Sequence, residues 1–262
     1  MCVERLSKHY AQHTWFTRRK RVVKALDGVD LKIYPGCTHA LVGESGSGKS
    51  TLARCLARLE APSSGSIRFE DRDLLHLTAA ELFSFRQLVQ LIFQDPATAL
   101  NPRLCAAEII EEPLAIQHRG TKRERRERSL ALMEQVGLSP GWAERLPLEL
   151  SGGQRQRLAI ARALALEPKF LILDEALSGL DVSVQAQVVN LLLDLQASRS
   201  LTYLYISHDL SLVGCLADEV TVMHRGRVVE RGKTAELFAA PQHPHTRALL
   251  GAMPVLERAG QL

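Results

Sequence analysis

The sequence predicts an α/β fold: a mainly parallel sheet flanked by helices, with a helical segment inserted into it. Three observations lead there. Short apolar runs rich in β-branched residues alternate with segments of helical period along most of the chain, which implies parallel strands joined by crossovers. A strand pattern runs directly into a glycine-rich turn at residue 43, and an amphipathic helix follows. Between about residues 96 and 157 the pattern becomes polar and helical, punctuated by Pro102, Pro113, Pro140 and Pro147. The 262 residues are 46% hydrophobic and 24% charged, which excludes disorder, collagen and coiled coil as descriptions of the whole.

Taken in order, Thr38-His-Ala-Leu-Val42 reads as a short strand. Leu52, Cys55, Leu56 and Leu59 then fall at i, i+3, i+4 and i+7, one face of a helix. Gly65–Phe69 and Leu88–Phe93 read as strands, and a helix spans Arg155–Ala165. Strand patterns return at Phe170–Leu173, Thr202–Ile206 and Glu219–Met223. The helix between the first two carries Val184, Val188, Leu191, Leu192 and Leu195 on one face. Arg119–Arg128 mixes Glu with Arg at helical spacing, as a solvated helix face does. Arg18-Arg-Lys-Arg21, after Trp15 and Phe16, reads as a loop between strands.

A net charge of +4 is too mild to imply nucleic acid as a partner. The five cysteines are scattered without a C-x-x-C pair, as in a reduced cytosolic protein. No apolar run approaches the roughly 18–20 residues that cross a bilayer. The N-terminus lacks the apolar core of a secretory signal. Work at a membrane would therefore need another chain to hold this one there.

Three motifs carry chemistry. Gly43-Glu44-Ser45-Gly46-Ser47-Gly48-Lys49-Ser50 is a G-x-x-x-x-G-K-S loop between strand and helix. Its glycines let backbone N–H groups curl around phosphate oxygens, and the helix N-terminus adds partial positive charge. Lys49 reaches the β- and γ-phosphates, the Ser50 hydroxyl can ligate Mg²⁺, and Thr51 is placed to donate toward the α-phosphate. These features predict binding of a nucleoside triphosphate. Phe170-Leu-Ile-Leu-Asp174-Glu175 is an apolar strand ending in two carboxylates. Asp174 is expected near the Mg²⁺ and Glu175 beside an attacking water. Leu150-Ser151-Gly152-Gly153-Gln154 opens a helix. Ser151 and Gln154 have capping-box spacing, which explains them but not two consecutive glycines. Those suit a helix start closely approaching a phosphate. Because the chain already has a phosphate loop, this second one points to nucleotide held by a partner in a dimer.

With these residues in place the chain resembles the ATP-binding cassette (ABC) ATPases over nearly its whole length. The three motifs stand in the family's order, as do Gln94 in Ile-Phe-Gln-Asp-Pro, Ser178-Gly-Leu-Asp181 and His208 after a strand. The resemblance implies a P-loop NTPase (RecA-like) core, an N-terminal antiparallel β subdomain and an inserted helical subdomain. It implies one ABC ATPase domain over residues 1–262, with the helical subdomain at about 96–157 and a short tail over about 232–262. It also implies ATP and Mg²⁺ as cofactors, with Glu175, His208 and Gln94 catalytic and Ser50, Gln94 and Asp174 around the metal. Asp181 would join Ser151, Gly152, Gly153 and Gln154 at the nucleotide interface. Tyr10 is the expected adenine-stacking aromatic, with Trp15 and Phe16 as alternatives.

Within the family, Gln94-Asp-Pro-Ala-Thr-Ala-Leu-Asn-Pro-Arg103, Leu180-Asp-Val-Ser-Val-Gln-Ala-Gln187 and Pro241-Gln-His-Pro-His-Thr246 resemble the peptide/nickel importer group. In the last of these, His245 replaces an aromatic. Asp174-Glu-Ala-Leu-Ser-Gly-Leu-Asp181 departs from the commoner D-E-P-T-S-A-L-D while keeping Asp174, Glu175, Ser178 and Asp181. The chain ends at Leu262 without the cysteine-bearing extension of longer members, so no iron–sulfur cluster is expected. The resemblance thus implies an ATP-hydrolysing subunit of a peptide importer, with nickel or metal-chelate import as the alternative. A phosphonate carbon–phosphorus lyase component is the alternative of another class. Implied partners are a second ABC ATPase subunit, as a heterodimer rather than a homodimer, two membrane permeases and an extracytoplasmic substrate-binding protein. The implied place is the cytoplasmic face of the bacterial inner membrane.

Overall fold

The computed structural model describes residues 1–13 and 20–252. The elements run β1 (Cys2–His13), β2 (Lys20–Lys32), β3 (Thr38–Val42), α1 (Lys49–Leu56), β4 (Ser64–Phe69), β5 (Arg72–Asp73), α2 (Ala79–Leu88) and β6 (Val89–Ile92). Then come α3 (Pro96–Ala99), α4 (Ala106–Ile116), α5 (Lys122–Gln135), α6 (Gly152–Leu164), β7 (Phe170–Asp174), α7 (Val182–Arg199) and β8 (Thr202–Ile206). The last are α8 (Leu210–Leu216), β9 (Glu219–His224), β10 (Arg227–Lys233), α9 (Thr234–Ala239) and α10 (Pro244–Gly251).

Two sheets result. Strands β2-β1-β4-β5 pair antiparallel throughout. The other sheet has the order β10-β9-β3-β8-β7-β6, parallel except for the β10 edge. The mixed α/β class, with an N-terminal antiparallel sheet, a parallel core and a helical segment, is the one the sequence predicts.

The central strands of the larger sheet are covered on both faces, which is why they read as unbroken apolar runs. Alternation divides them cleanly. Leu41, Phe170, Ile172, Leu204 and Ile206 pack with Leu52, Cys55 and Leu56 of α1 and with Val3, Leu6 and Ile67 of the antiparallel sheet. Val42, Leu171, Leu173, Tyr203 and Tyr205 face the other way, against helices α4, α6, α7 and α8. A one-residue slip of any strand would exchange the two faces. Tyr203 can be buried there because its hydroxyl donates to the Leu192 carbonyl at 2.9 Å. No helix of the described residues is long and apolar enough to cross a membrane.

Three expectations are corrected. The apolar stripe of α1 stops at Leu56: Arg58 adopts a left-handed φ of 53° and Leu59, beyond the helix, is 54% exposed. The helix expected from Arg155 begins at Gly152, so the glycine pair is its first turn. Of the loop placed around residues 18–21, Lys20 and Arg21 open β2. Trp15, Phe16, Arg18 and Arg19 lie outside the described residues. The tail from residue 232 carries the end of β10 and helices α9 and α10.

Candidate nucleotide site

Four parallel strands end on one edge, and each delivers a candidate residue there. Gly43 follows the last residue of β3, Asp174 ends β7 with Glu175 next, and Gln94 and His208 stand two residues beyond β6 and β8. In open α/β sheets this carboxyl edge is where ligands bind. Burial on both faces fixes the strands, so the geometry of their ends is rigid.

The loop after β3 is shaped by glycine. Gly43 has φ 147°, and a Cβ there would fall 2.2 Å from the Met223 carbonyl oxygen. Gly48 has φ 108°, and its Cβ would meet the Ala25 carbonyl oxygen at 2.4 Å. Only glycine fits at either position. The Gly226 N–H donates to the Ser47 carbonyl at 2.9 Å, and the Asp27 N–H donates to Gly226 at 2.9 Å, so the antiparallel sheet is pinned to the loop.

Inside the loop Lys49 is 5% exposed and its ammonium donates to the Gly43 and Glu44 carbonyls at 2.7 and 2.9 Å. Burial pushes its pKa down, opposed by the Glu175 and Asp174 carboxylates. The buried Ser47 hydroxyl has no hydrogen-bond partner among the described residues. A folded loop rarely leaves such a group unmatched, and an anionic oxygen would satisfy it. Ser45 and Gly46 complete the turn, and Gly46 has open space where a Cβ would stand.

The carboxylates occupy two settings. Asp174 is 7% exposed and accepts the Ser50 hydroxyl at 3.1 Å. Burial raises its pKa, opposed by that hydrogen bond. A desolvated carboxylate beside a hydroxyl is an all-oxygen donor pair suited to a hard cation such as Mg²⁺. Glu175 takes a left-handed φ of 49°, unusual for a non-glycine residue and a form of strain found at functional sites. Its N–H donates to Ile206 at 2.9 Å. Its Oε2 accepts Gln94 Nε2 at 2.9 Å and stands 3.5 Å from His208 Nδ1. The Ser178 hydroxyl donates to the Glu175 carbonyl at 2.8 Å, tying the following turn to the same point.

Tyr10 lies beside this site. Its pKa is raised by burial first, then by its hydrogen bond with Glu60, and a further hydrogen bond links it to Thr51 of α1. The Lys8 ammonium covers its ring at 5.1 Å from the centroid.

The residues of 151–154 make their contacts elsewhere. The Ser151 hydroxyl accepts the Gln154 N–H at 3.3 Å and the Gln154 side chain accepts the Ser151 N–H at 2.9 Å, a complete capping box. A Cβ on Gly153 would fall 2.5 Å from Val184 Cγ1, and one on Gly152 would lie 3.6 Å from Leu180 Cδ2. Sequence reasoning missed this packing of the glycine pair on the start of α7. Asp181 is exposed at the N-cap of α7 and its carbonyl accepts the Gln185 N–H at 2.8 Å. Leu148 and Val182, flanking these motifs in sequence, are the most exposed large apolar side chains of the described residues, at 79% and 81%.

Known proteins resemble this chain over most of its length. The ABC transporter family model matches residues 26–178. A probable peptide ABC transporter ATP-binding protein of Sinorhizobium fredii is 49% identical over 98% of this chain and 73% of its own length. The dipeptide transport ATP-binding protein of Escherichia coli is 49% identical over 96% of this chain and 75% of its own. Among solved structures, a dimeric ATP-binding cassette in a post-hydrolysis state, bound to ADP and Pi, has a TM-score of 0.79 at 30% identity, covering 89% of this chain and 98% of that one. With the phosphate-type loop, the carboxylate strand end and the capped glycine pair in one fold, the chain belongs to the ABC transporter family, among its ATP-binding proteins.

Proposed function

We propose that this chain binds and hydrolyses ATP to energise a peptide importer. The observation that carries hydrolysis is the convergence of Gln94 and His208 on one oxygen of Glu175. A carboxylate held by a neutral donor and an imidazole keeps its orientation, and its remaining lone pairs are free to take a proton from water. Glu175 is the general base, Gln94 positions the water, and His208 holds Glu175 and meets the γ-phosphate. Lys49 leaves the carbonyls of Gly43 and Glu44 for the β- and γ-phosphates, and the N–H groups of residues 44–51 bind the phosphate chain. Tyr10 stacks on the adenine. Ser50, Asp174 and Gln94 hold Mg²⁺, which supplies neutralisation of phosphate charge.

The capping box is complete within the turn and leaves Ser151 exposed, which supports use of 151–154 on the ATP of a second cassette. The exposed Leu148 and Val182 support the same reading, since large apolar side chains at that exposure gain by burial against a partner. Asp181 belongs to this interface. We take the second cassette to be a different chain, the helical subdomain to span about residues 96–157, and Gln94 to pass its movement to two permeases. A separate extracytoplasmic protein would deliver the peptide, and the chain would sit peripherally on the cytoplasmic membrane face.

The cargo assignment is supported by the peptide and dipeptide transport names of relatives that match nearly the whole chain. Deleting the gene should abolish uptake of labelled dipeptides, and wild type but not Glu175→Gln should restore it. Intact peptide uptake with lost uptake of a nickel chelate would overturn the cargo and leave the ATPase standing.

A further inference from the structure

Among the described residues, one side-chain cluster is built like a ligand set, and it shares only Glu44 with the nucleotide loop. Val42 of β3 pairs with Val222 of β9 in parallel register. Two residues further on, Glu44 in the loop after β3 and His224 at the end of β9 bring polar side chains to the same place. Helix α10 adds a third, His245. The His224 and His245 rings lie 4.0 Å apart between centroids at 45°, and His245 Nδ1 is 3.9 Å from Glu44 Oε1. One ligand atom from each of the three lies within 4.8 Å of the others.

The position of His245 is fixed by its surroundings. Glu230 of β10 accepts the N–H groups of Gln242 and His243 at 2.7 and 2.9 Å, fastening the entry to α10. His243 spends its Nδ1 on the His245 N–H at 3.1 Å, so it is not a fourth ligand through that atom. The His245 side chain is 11% exposed, and its Nε2 is buried with no hydrogen-bond partner among the described residues. The Glu44 side chain, by contrast, is 62% exposed and free to swing inward.

We propose that Glu44, His224 and His245 bind one divalent transition-metal ion of the zinc and cobalt class, joining helix α10 to the phosphate loop. Two imidazoles and one carboxylate form the donor set of an open tetrahedral site, with the fourth position left to water. Ligand bonds of roughly 2.0–2.2 Å put ligand atoms about 3.5 Å apart, so the cluster closes by a movement of the exposed Glu44. Imidazole donors favour these ions over Mg²⁺, so the site does not compete with the metal of the nucleotide. Burial, then the neighbouring His224, pushes the His245 pKa down, which favours the unprotonated ring. Such an ion crosslinks His245 of α10 to a loop residue 201 positions earlier, Glu44, whose carbonyl receives Lys49.

The test is a Co²⁺ titration of the nucleotide-free, untagged chain, followed by visible absorption and reversed with Zn²⁺. One Co²⁺ per chain with a tetrahedral band is expected. His245→Phe and His224→Phe, which keep a ring in each place, should each weaken binding at least tenfold. ATP affinity unchanged from wild type would show these variants folded. His208→Ala removes an imidazole that stands beside the Glu175 carboxylate and should leave Co²⁺ binding as in wild type. No band below millimolar Co²⁺ in wild type, or equal binding by wild type and His245→Phe, overturns the proposal.

Discussion

The carboxyl edge of the parallel sheet and the start of helix α6 carry the chain's two glycine-rich motifs, and they are finished differently. At the sheet edge, polar groups from four strand ends converge, with Asp174 buried and Gln94 and His208 exposed. Lys49 is held by carbonyls that a phosphate chain would displace, Asp174 is protonated more easily than usual, and the Ser47 hydroxyl is unmatched. At the start of α6 the capping box closes on itself and the glycines pack on α7. The first region is strained toward a ligand. The second is relaxed, and its exposed apolar neighbours look outward. The proposed composite site, completed by another molecule, would use both.

The contrast can be broken most sharply at Glu175. Glu175→Gln keeps the hydrogen bond to Gln94 but removes the base, so turnover at this chain's own site should fall about 10²–10⁴-fold. ATP binding by titration should survive, and wild-type single-turnover hydrolysis would end the assignment. Next is Gly153→Asp, placing a carboxylate where a partner's phosphate is expected. Turnover should drop about 10²–10³-fold, the usual cost of losing a transition-state donor, while ATP binding to the monomer stays within about twofold. Packing on Val184 is a competing cause of that loss, and Gly153→Ala with and without Val184→Ala separates the two. Rescue of turnover by the second substitution would mean that the glycine serves only its own chain.

Lys49→Ala should weaken ATP affinity roughly 10–100-fold, since hydrogen bonds to charged groups contribute about 1.5–3 kcal/mol. Equal affinity in a titration would remove Lys49 from the site. A further test lies away from both regions. His39, buried in β3 with Nε2 2.8 Å from the Thr221 hydroxyl, has its pKa pushed down to about 4, chiefly by burial. The unfolded chain therefore binds a proton that the folded one refuses between about pH 6.5 and 4. Stability from this group is present above that window and falls as pH drops through it, by about 3 kcal/mol in all. Urea unfolding of His39→Gln should lose that part of the acid dependence.

How much was legible in the sequence differs between the same regions. The sheet edge could be read because its residues are contiguous in short motifs: a loop of fixed spacing between strand and helix, and an apolar strand that ends in Asp174-Glu175. Alternation in β3, β7 and β8 was less legible, because strands buried on both faces have no polar face to reveal their period. The stripe through Leu59 failed because periodicity is blind to the left-handed turn at Arg58 that ends α1. Packing of Gly153 on Val184, and the meeting of Glu44, His224 and His245, join positions far apart in the chain. No local pattern encodes these contacts. The replacement of an aromatic by His245 was the one available signal for the cluster, and alone it marks only lineage.

The central claim is that one cassette carries half of each hydrolytic site. The direct measurement is ATP hydrolysis by the chain, alone and with the second cassette of its transporter, as total concentration is lowered, with nucleotide binding followed on the same samples. The account predicts specific activity that falls in proportion to dilution once assemblies separate, while the ATP binding constant stays unchanged. Constant specific activity in samples shown to be monomeric would contradict it.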